Sequence, residues 1–248
     1  MKNAFGLELY EIKEIVTDKS VKETISSILL PVLTYLGASL IYSQIEQHLL
    51  PGDVLDYGCG DGQVAELIAK NKNQEIILTD VYEHKHIKET GLKFKLLKQG
   101  AKTSFDDNEF DNTLALTVYH HSSDPLNSIY EAYRVTKKNG RVIVIESVYD
   151  VNGKELPEAM QKKIENYLSL PAEQQRKVNI FFDHFYNRVL HYSKDAKTKV
   201  NIPFNFNTPN NWEKIFAKCG LKQETIIHLG LDQPTVPEYH TLHILRKV

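Results

Sequence analysis

Short apolar runs alternate with longer polar segments of helical period through the middle of the chain. In segments 63–70 and 126–135, apolar positions recur every three to four residues, a spacing typical of amphipathic helices. Strands that alternate with helices indicate a parallel sheet with helices on both faces. The pattern predicts five such strands, at residues 54–57, 76–79, 94–97, 113–118 and 142–148.

The pattern changes on both sides of this core. Residues 7–49 show helical spacing interrupted near Ser20 and Pro31, which predicts two or three amphipathic helices. Residues 151–208 are charged, helical in pattern and rich in aromatic side chains. The alternation then resumes with a helix and two apolar runs, 225–229 and 241–245. The proline-containing loop between these runs is too short for a crossover helix, so they should pair antiparallel.

These observations predict one α/β domain around a mainly parallel, seven-stranded sheet whose last strand is antiparallel. Its expected parts are an N-terminal helical cap (1–50), an α/β core (51–150), a helical insertion after the fifth strand (151–208), and a closing helix and strand pair (209–248).

A glycine-rich loop follows the first predicted strand. It carries Gly58, Gly60 and Gly62 at alternate positions, with Asp56 just before them. Glycines let the backbone approach a ligand closely, and ligands of parallel sheets bind at the carboxyl ends of the strands. The spacing differs from the Gly-x-Gly-x-x-Gly of dinucleotide sites, and a carboxylate suits an ammonium group better than a pyrophosphate. The loop therefore predicts a ligand other than NAD.

A second carboxylate, Asp80, ends the next strand. Its distance along the chain from the glycine loop matches that of the acidic residue that binds ribose hydroxyls in nucleotide sites. The alternative role for an aspartate here is a helix N-cap. Together, the loop and Asp80 favour a nucleoside ligand.

In these features the chain resembles the class I S-adenosylmethionine-dependent methyltransferases, which have a Rossmann-like fold. The resemblance covers roughly residues 51–146 and rests on four motifs in order. It is carried by residues 56–62, Asp80, the segment 105–125 around the fourth strand, and the segment 131–140 that leads to the fifth strand.

The resemblance implies S-adenosylmethionine as the cofactor and methyl transfer as the activity. It also implies that the core (51–150) binds the cofactor and that the insertion (151–208) forms a lid over the substrate. The small-molecule members of the family (methyltransferase-11-like) are the nearest match, so the acceptor is expected to be a small molecule methylated on oxygen or nitrogen. The family often has an acidic residue before Phe105 that binds adenine, and residues 99–104 here have none. The cofactor residues implied by position are Asp56, Tyr57, Gly58, Gly60, Asp80, Val81, Thr117 and Val118.

Two adjacent histidines, His120 and His121, follow the fourth strand at the mouth of this predicted pocket. A methyl acceptor that is a hydroxyl or a protonated amine must lose a proton, and histidine titrates in the range that such a base needs. Both are therefore candidate catalytic residues, although either could simply cap the next helix. Candidates for contact with the acceptor are Tyr119, His184, Phe185 and His240. The segments that contain them add Asp183, Tyr186 and Tyr239 as further candidates.

No metal site is expected. His120, His121 and His184 lack recognised ligand spacing, and the chain has neither paired cysteines nor a His-Glu-x-x-His helix.

Composition narrows the function classes. With 30 basic and 32 acidic residues, the formal net charge of −2 gives no field that would attract nucleic acid or an anionic membrane. No apolar run is long enough to span a bilayer, and two distant cysteines suit a reduced compartment. We expect a cytoplasmic monomer or homodimer. The remaining alternatives are a methyltransferase for protein or RNA, a nicotinamide-dependent oxidoreductase, and a non-catalytic module that binds the nucleoside.

Overall fold

The computed structural model describes residues 30–98, 102–185, 203–231 and 238–248. The chain begins there with helix α1 (Leu30–Ile45), followed by β1 (Val54–Tyr57), α2 (Gln63–Lys72), β2 (Ile76–Asp80), the short α3 (Ile87–Thr90), β3 (Lys93–Leu96) and β4 (Phe110–Leu116). Next come α4 (Pro125–Val135), β5 (Thr136–Ser147), α5 (Glu158–Lys163), α6 (Glu165–Leu168) and α7 (Ala172–Phe185). The chain closes with α8 (Pro209–Lys218), β6 (Leu221–Gly230) and β7 (His240–Lys247).

All seven strands form one sheet in the order β3-β2-β1-β4-β5-β7-β6. The first five strands run parallel, and β7 pairs antiparallel with both β5 and β6. The predicted fold class is therefore confirmed, including the antiparallel closing pair. Strand order reverses between β1 and β4, so their carboxyl ends border the crevice where parallel sheets bind ligands.

The sheet is covered by apolar helix faces on both sides. One core cluster contains Ile45, Ala65 and Ile68 beneath β1 and β2, and another is centred on Trp212 and Phe216 of α8. Residues of β4 and β5 contribute to both clusters because alternate side chains of a strand point to opposite faces. Ile45 is fully buried, so the end of α1 packs on the core as a cap would. The predicted helices before residue 30, and the predicted break near Ser20, lie outside the described residues.

The fifth strand is longer than the sequence pattern predicts. It begins at Thr136, directly after α4, rather than at residue 142. Its pairing with β4 shifts register between Phe110 and Asn112, and Asn139 lies in the left-handed region at φ 64°. The polar stretch at its start hides this extension, because it lacks the apolar alternation that marks a strand.

Within the part of the chain that the structure describes, no helix is both long and apolar enough to cross a membrane.

Candidate functional site

The glycine loop follows β1 and lies against the end of β2. The amides of Gly58 and Cys59 both donate to the carbonyl of Thr79, at 2.8 and 2.9 Å. A Cβ atom on Gly58 would lie only 2.6 Å from Cγ2 of Val118, so this position admits no side chain. At Gly60, φ is 56° and a Cβ atom would meet nothing within 4 Å. The loop thus packs tightly against the end of β4 on one side and leaves open space at Gly60.

Asp80 holds this loop in place. Its Oδ2 accepts from the amide of Gly60 at 2.9 Å, and its Oδ1 accepts from the amide of Val81 at 2.6 Å. It does not cap a helix, since α3 begins only at Ile87. Burial raises the pKa of Asp80 to about 6, against the opposing effect of the amide donors. Oδ1 also accepts from the amide of Tyr82 at 3.4 Å, so Oδ2 is the oxygen that can accept a second hydrogen bond.

Asp56 is a buried carboxylate at the end of β1. Its Oδ2 has no hydrogen-bond partner among the described residues. Burial raises its pKa to about 7, and the nearby carboxylates of Asp80 and Asp61 add to the rise. A buried acceptor without a donor is rare in proteins and marks a position where a ligand could supply one. Next to it, Tyr57 is half-buried against the cluster of Leu55 and Phe110.

The end of β4 forms the opposite wall of the crevice. Thr117 has φ 60°, an uncommon conformation for a β-branched residue, and its amide donates to the carbonyl of Ile145 at 2.7 Å. Such strain persists only where the surroundings impose it, and it is concentrated at functional sites. Thr117 and Val118 thus lie where the sequence places them, beside the glycine loop.

A cavity of about 220 Å³ lies at the end of β3, lined by residues 95–98 and 102–105. One of these residues, Leu97, donates its amide to the carbonyl of Asp80 at 2.7 Å. Val81, the first residue after β2, is 51 % exposed. Thr103, which also lines this cavity, is already hydrogen-bonded. Its amide and its hydroxyl both donate to Oε1 of Glu131. The side chain of Thr103 therefore anchors this segment to α4 instead of pointing at a ligand.

A buried polar cluster lies beyond Val118, where β4 and β5 end. Oε1 of Glu146 accepts from the amides of Val118 and Tyr119 at 3.1 and 2.6 Å. Its Oε2 lies 2.6 Å from Nδ1 of His120. Burial lowers the pKa of His120 and raises that of Glu146, so the doubly charged form of this pair is disfavoured. His120 is nearly inaccessible, and the ring of Phe206 stacks on it at 5.1 Å.

His121 is the accessible member of the histidine pair, with 21 % of its side chain exposed. Its Nε2 lies 3.6 Å from Oδ1 of Asp183, and Nε2 of His120 lies 3.9 Å from the same oxygen. Asp183 comes from α7, on the face that also carries Gln175 and Asn179 at four-residue spacing. These two amides fix the helix: Asn179 donates to the carbonyl of Val148 at 3.1 Å, and Gln175 accepts from the amide of Asp150 at 2.9 Å.

His240 belongs to the same polar region. It pairs across the sheet with Ser147, whose hydroxyl lies 3.0 Å from its Nε2 and donates to Glu238. Burial raises the pKa of Glu238 to about 8, with Asp183 and Glu146 close enough to contribute. His240 is therefore a buried member of the cluster.

The other residues predicted to contact the acceptor do not share one environment. The ring of Tyr119 is fully buried against the stacked rings of Trp212 and Phe216, because the turn after β4 directs it into the core. We therefore leave Tyr119 out of the acceptor site. His184 is exposed and its ring lies 6.5 Å from that of Phe204. Phe185 ends α7, its side chain lies outside the described set, and Tyr186 lies outside the described residues. Tyr239 is fully buried with its ring stacked on that of Tyr167.

One residue of the cluster, Glu146, was not predicted. It had a signal: a charged residue that ends the apolar run of β5, beside the end of β4. Asp183 was a candidate for contact with the acceptor, but the sequence did not indicate that it meets the two histidines.

The family comparison matches residues 55–144 to a methyltransferase domain. Among solved structures, the chain is similar to an S-adenosylmethionine-dependent methyltransferase from Thermotoga maritima, described as a possible histamine N-methyltransferase. That likeness has a TM-score of 0.59 and 15 % identity, covering 94 % of this chain and 98 % of the other. An S-adenosylmethionine-dependent methyltransferase from Methanosarcina mazei gives a TM-score of 0.56 at 17 % identity, covering 82 % and 96 %. At such identities the likeness establishes the fold. No curated protein matches this chain in sequence.

Proposed function

Because residues 55–144 are a methyltransferase domain on the class I fold, which uses S-adenosylmethionine, we propose that this enzyme methylates an oxygen or nitrogen of a small-molecule acceptor. The observation that carries the proposal is the buried histidine and carboxylate cluster directly beyond Val118. It lies next to the wall of the cofactor crevice, on the side where an acceptor must approach.

The residues present fit the cofactor. The unpartnered Oδ2 of Asp56 suits the ammonium of its methionyl end, and the open space at Gly60 admits the chain that follows. Asp80 keeps acceptor capacity for ribose hydroxyls while it holds the amide of Gly60. Exposed Val81 and the cavity beside Asp80 provide an apolar wall and space for the adenine ring. Tyr57 would flank this site from β1.

The cofactor, when bound, supplies a methyl group already activated on a sulfonium. The chain then has to align the acceptor, exclude water and deal with the acceptor's proton. Thr117 and Val118 form the rigid wall that fixes the distance between the two molecules. His121 is the histidine that can reach an acceptor, whereas His120 is held by Glu146 and acts through its neighbours.

Burial of the cluster favours a small acceptor over a macromolecule. Asp183 on α7 is buried, and so are Glu146 and His120, which lie beneath this helix. An acceptor therefore has to enter a confined space. The near-neutral charge gives no support to an RNA target. The Thermotoga relative is described as acting on a small amine, which agrees with an acceptor of this size.

The test is calorimetric titration with S-adenosylhomocysteine, with NAD in parallel, followed by transfer of labelled methyl from S-adenosylmethionine to panels of amines, phenols and alcohols. We expect micromolar binding of S-adenosylhomocysteine alone and label transfer to a small acceptor. Binding of NAD instead, or label transfer only to protein or RNA, would overturn the proposal. Saturable binding without transfer to any acceptor would identify a non-catalytic module.

A matched pair of variants ties that binding to this site. Asp80→Ala removes a charged hydrogen-bond acceptor and should weaken S-adenosylhomocysteine by about 1 to 3 kcal/mol. Glu213→Ala changes an exposed carboxylate on α8, away from the crevice, and should leave the affinity unchanged. Equal affinities in two folded variants would remove Asp80 from the site.

A further inference from the structure

Three side chains that can ligate a metal ion converge where α7 meets the turn after β4. One atom each from His120, His121 and Asp183 lies within 4.8 Å of the others. Two of the separations, 3.6 Å and 3.9 Å, join the Nε2 atoms to Oδ1 of Asp183. We propose that these residues bind one divalent transition-metal ion at the acceptor side of the site. This differs from the sequence-based expectation of no metal.

The separations are close to those of an occupied site. Metal bonds of about 2.1 Å to nitrogen and oxygen place neighbouring ligands of a tetrahedral site about 3.4 Å apart. Contraction from the present distances would fall to the side chains of His121 and Asp183, because Glu146 holds the ring of His120. His120 and His121 are adjacent in a single turn and their rings lie 4.0 Å apart, so the backbone already brings both to one side.

Glu146 has the position of an outer-shell partner. Metal-binding histidines usually donate their other ring nitrogen to a carboxylate, which fixes the ring and its tautomer. Oε2 of Glu146 lies 2.6 Å from Nδ1 of His120, which leaves Nε2 directed at Asp183. Phe206 covers the outer face of the same ring. The ring of His120 is thus fixed on both sides with its free nitrogen in the cluster.

The donor set selects the kind of ion. Two imidazole nitrogens and one carboxylate oxygen suit zinc, iron, cobalt or manganese, whereas magnesium prefers oxygen alone. Three protein ligands leave at least one position open, which is the arrangement of catalytic sites. His120 and Asp183 are buried and His121 is part-exposed, so the open position lies on the accessible side.

The location gives the ion a role that rests on the proposed function. Glu146 joins the cluster to the amide of Val118, whose side chain contacts Gly58. An acceptor hydroxyl bound to the ion would have a lowered pKa and would release its proton to water. The oxygen lone pair would then form the bond to the methyl carbon while the carbon–sulfur bond breaks, and its electron pair would stay on the sulfur of S-adenosylhomocysteine. His121 is then a ligand, and the ion replaces it as the group that activates the acceptor.

The test measures metal binding separately from turnover. Chelator-treated protein is titrated with Zn²⁺ and with Mn²⁺, and the metal content of untreated protein is measured by mass spectrometry. We expect one ion per chain, and at least tenfold weaker binding in His121→Ala and in Asp183→Asn. His86→Ala is the matched control, since this part-exposed histidine lies 2.8 Å from Glu89, remote from the cluster, and should leave binding unchanged.

Glu146→Gln tests the outer shell. This positioning variant should bind metal about ten- to a hundredfold more weakly. The visible spectrum of the Co²⁺ form should also shift, which a merely structural role would not produce. If Glu146→Gln does not fold, the Co²⁺ spectrum of Asp183→Asn gives the same information about the site.

S-adenosylhomocysteine is titrated into the same samples so that the two proposals fail separately. Absence of stoichiometric metal binding, or equal binding in the wild type and both ligand variants, would overturn the metal site. If S-adenosylhomocysteine still binds in that case, the proposed function stands. If S-adenosylhomocysteine does not bind, the proposed function fails whatever the metal result.

Discussion

The buried carboxylate of Asp56 suits the binding of an ammonium group, but its burial lowers the stability of the fold. It lies fully buried at the end of β1 with an oxygen that has no partner among the described residues. Burial raises its pKa to about 7. The pKa of an aspartate in an unfolded chain is about 3.9. Its contribution to stability is therefore fully present below the unfolded pKa and is lost as the pH rises towards 7.

Asp56→Asn should consequently raise the melting temperature at pH 8, with a difference that shrinks as the pH approaches 5. Thermal unfolding monitored by circular dichroism at several pH values measures this. Asp106→Asn, an exposed change, is the control. A lower melting temperature for Asp56→Asn at pH 8 would contradict the burial penalty.

The same variant should bind S-adenosylhomocysteine more weakly by about 1 to 3 kcal/mol, because an ammonium needs an ionised partner. In the parent, affinity should fall as the pH drops below about 7, where Asp56 takes up a proton. In Asp56→Asn that dependence should be much reduced. Calorimetry between pH 6 and 7.5 compares the two, and parallel curves would place the ammonium elsewhere.

Thr117 is strained by its own backbone. Its φ of 60° lies in the left-handed region, which asparagine tolerates far better than a β-branched residue. Thr117→Asn should therefore stabilise the fold by about 1 kcal/mol. Urea unfolding gives this value, with Thr113→Asn in the buried middle of β4 as a destabilising comparison. A loss of stability in Thr117→Asn would show that the threonine side chain outweighs the strain.

At the scale of elements, α7 has one buried polar face and one exposed face. Its polar face carries Gln175, Asn179 and Asp183, which are buried against the end of β5. Phe181 on the other face is 62 % exposed. The helix is thus fixed over the cluster by amide hydrogen bonds rather than by aromatic packing, which is how Asp183 comes to lie beside the two histidines.

Asn179→Ala should loosen this helix without disturbing the glycine loop. It deletes the hydrogen bond to the carbonyl of Val148 and should lower stability by about 1 kcal/mol. Hydrogen exchange in α7 should accelerate, and acceptor turnover should fall while S-adenosylhomocysteine affinity stays constant. Phe181→Ala, on the exposed face, should change none of these. Unaltered exchange in Asn179→Ala would mean that other contacts hold α7.

At the scale of the whole molecule, one sheet connects the cofactor crevice to the polar cluster. β1 and β2 carry the glycine loop and Asp80, β4 carries Thr117 and the two histidines beyond its end, and β5 carries Glu146. Because these strands are hydrogen-bonded neighbours, a ligand in the crevice stabilises the entire sheet.

Bound S-adenosylhomocysteine should therefore raise the midpoint of a single unfolding transition. A ligand at a hundred times its dissociation constant adds about 2.7 kcal/mol, which corresponds to roughly 5 to 10 °C for a chain of this size. Differential scanning calorimetry with and without the ligand measures the shift. Two separate transitions, of which only one responds, would show that the crevice and the closing strands unfold independently.

The sequence by itself determined the number and approximate positions of the strands, the glycine loop and the two carboxylates of the crevice, but not where β4 and β5 begin. These features are local: a buried strand needs a run of apolar residues, and Asp56, Gly60 and Asp80 stand at fixed offsets from strand ends. The closing antiparallel pair was predictable in the same way, because a short loop excludes a crossover.

Only the tertiary structure decided the polar cluster. Glu146, Asp183 and His120 come from three elements separated by many residues, and their meeting depends on strand order and on how α7 packs. The same holds for Tyr119, which adjoins His120 in sequence yet packs into the core. A side chain's neighbours across space are set by packing, which sequence periodicity does not encode.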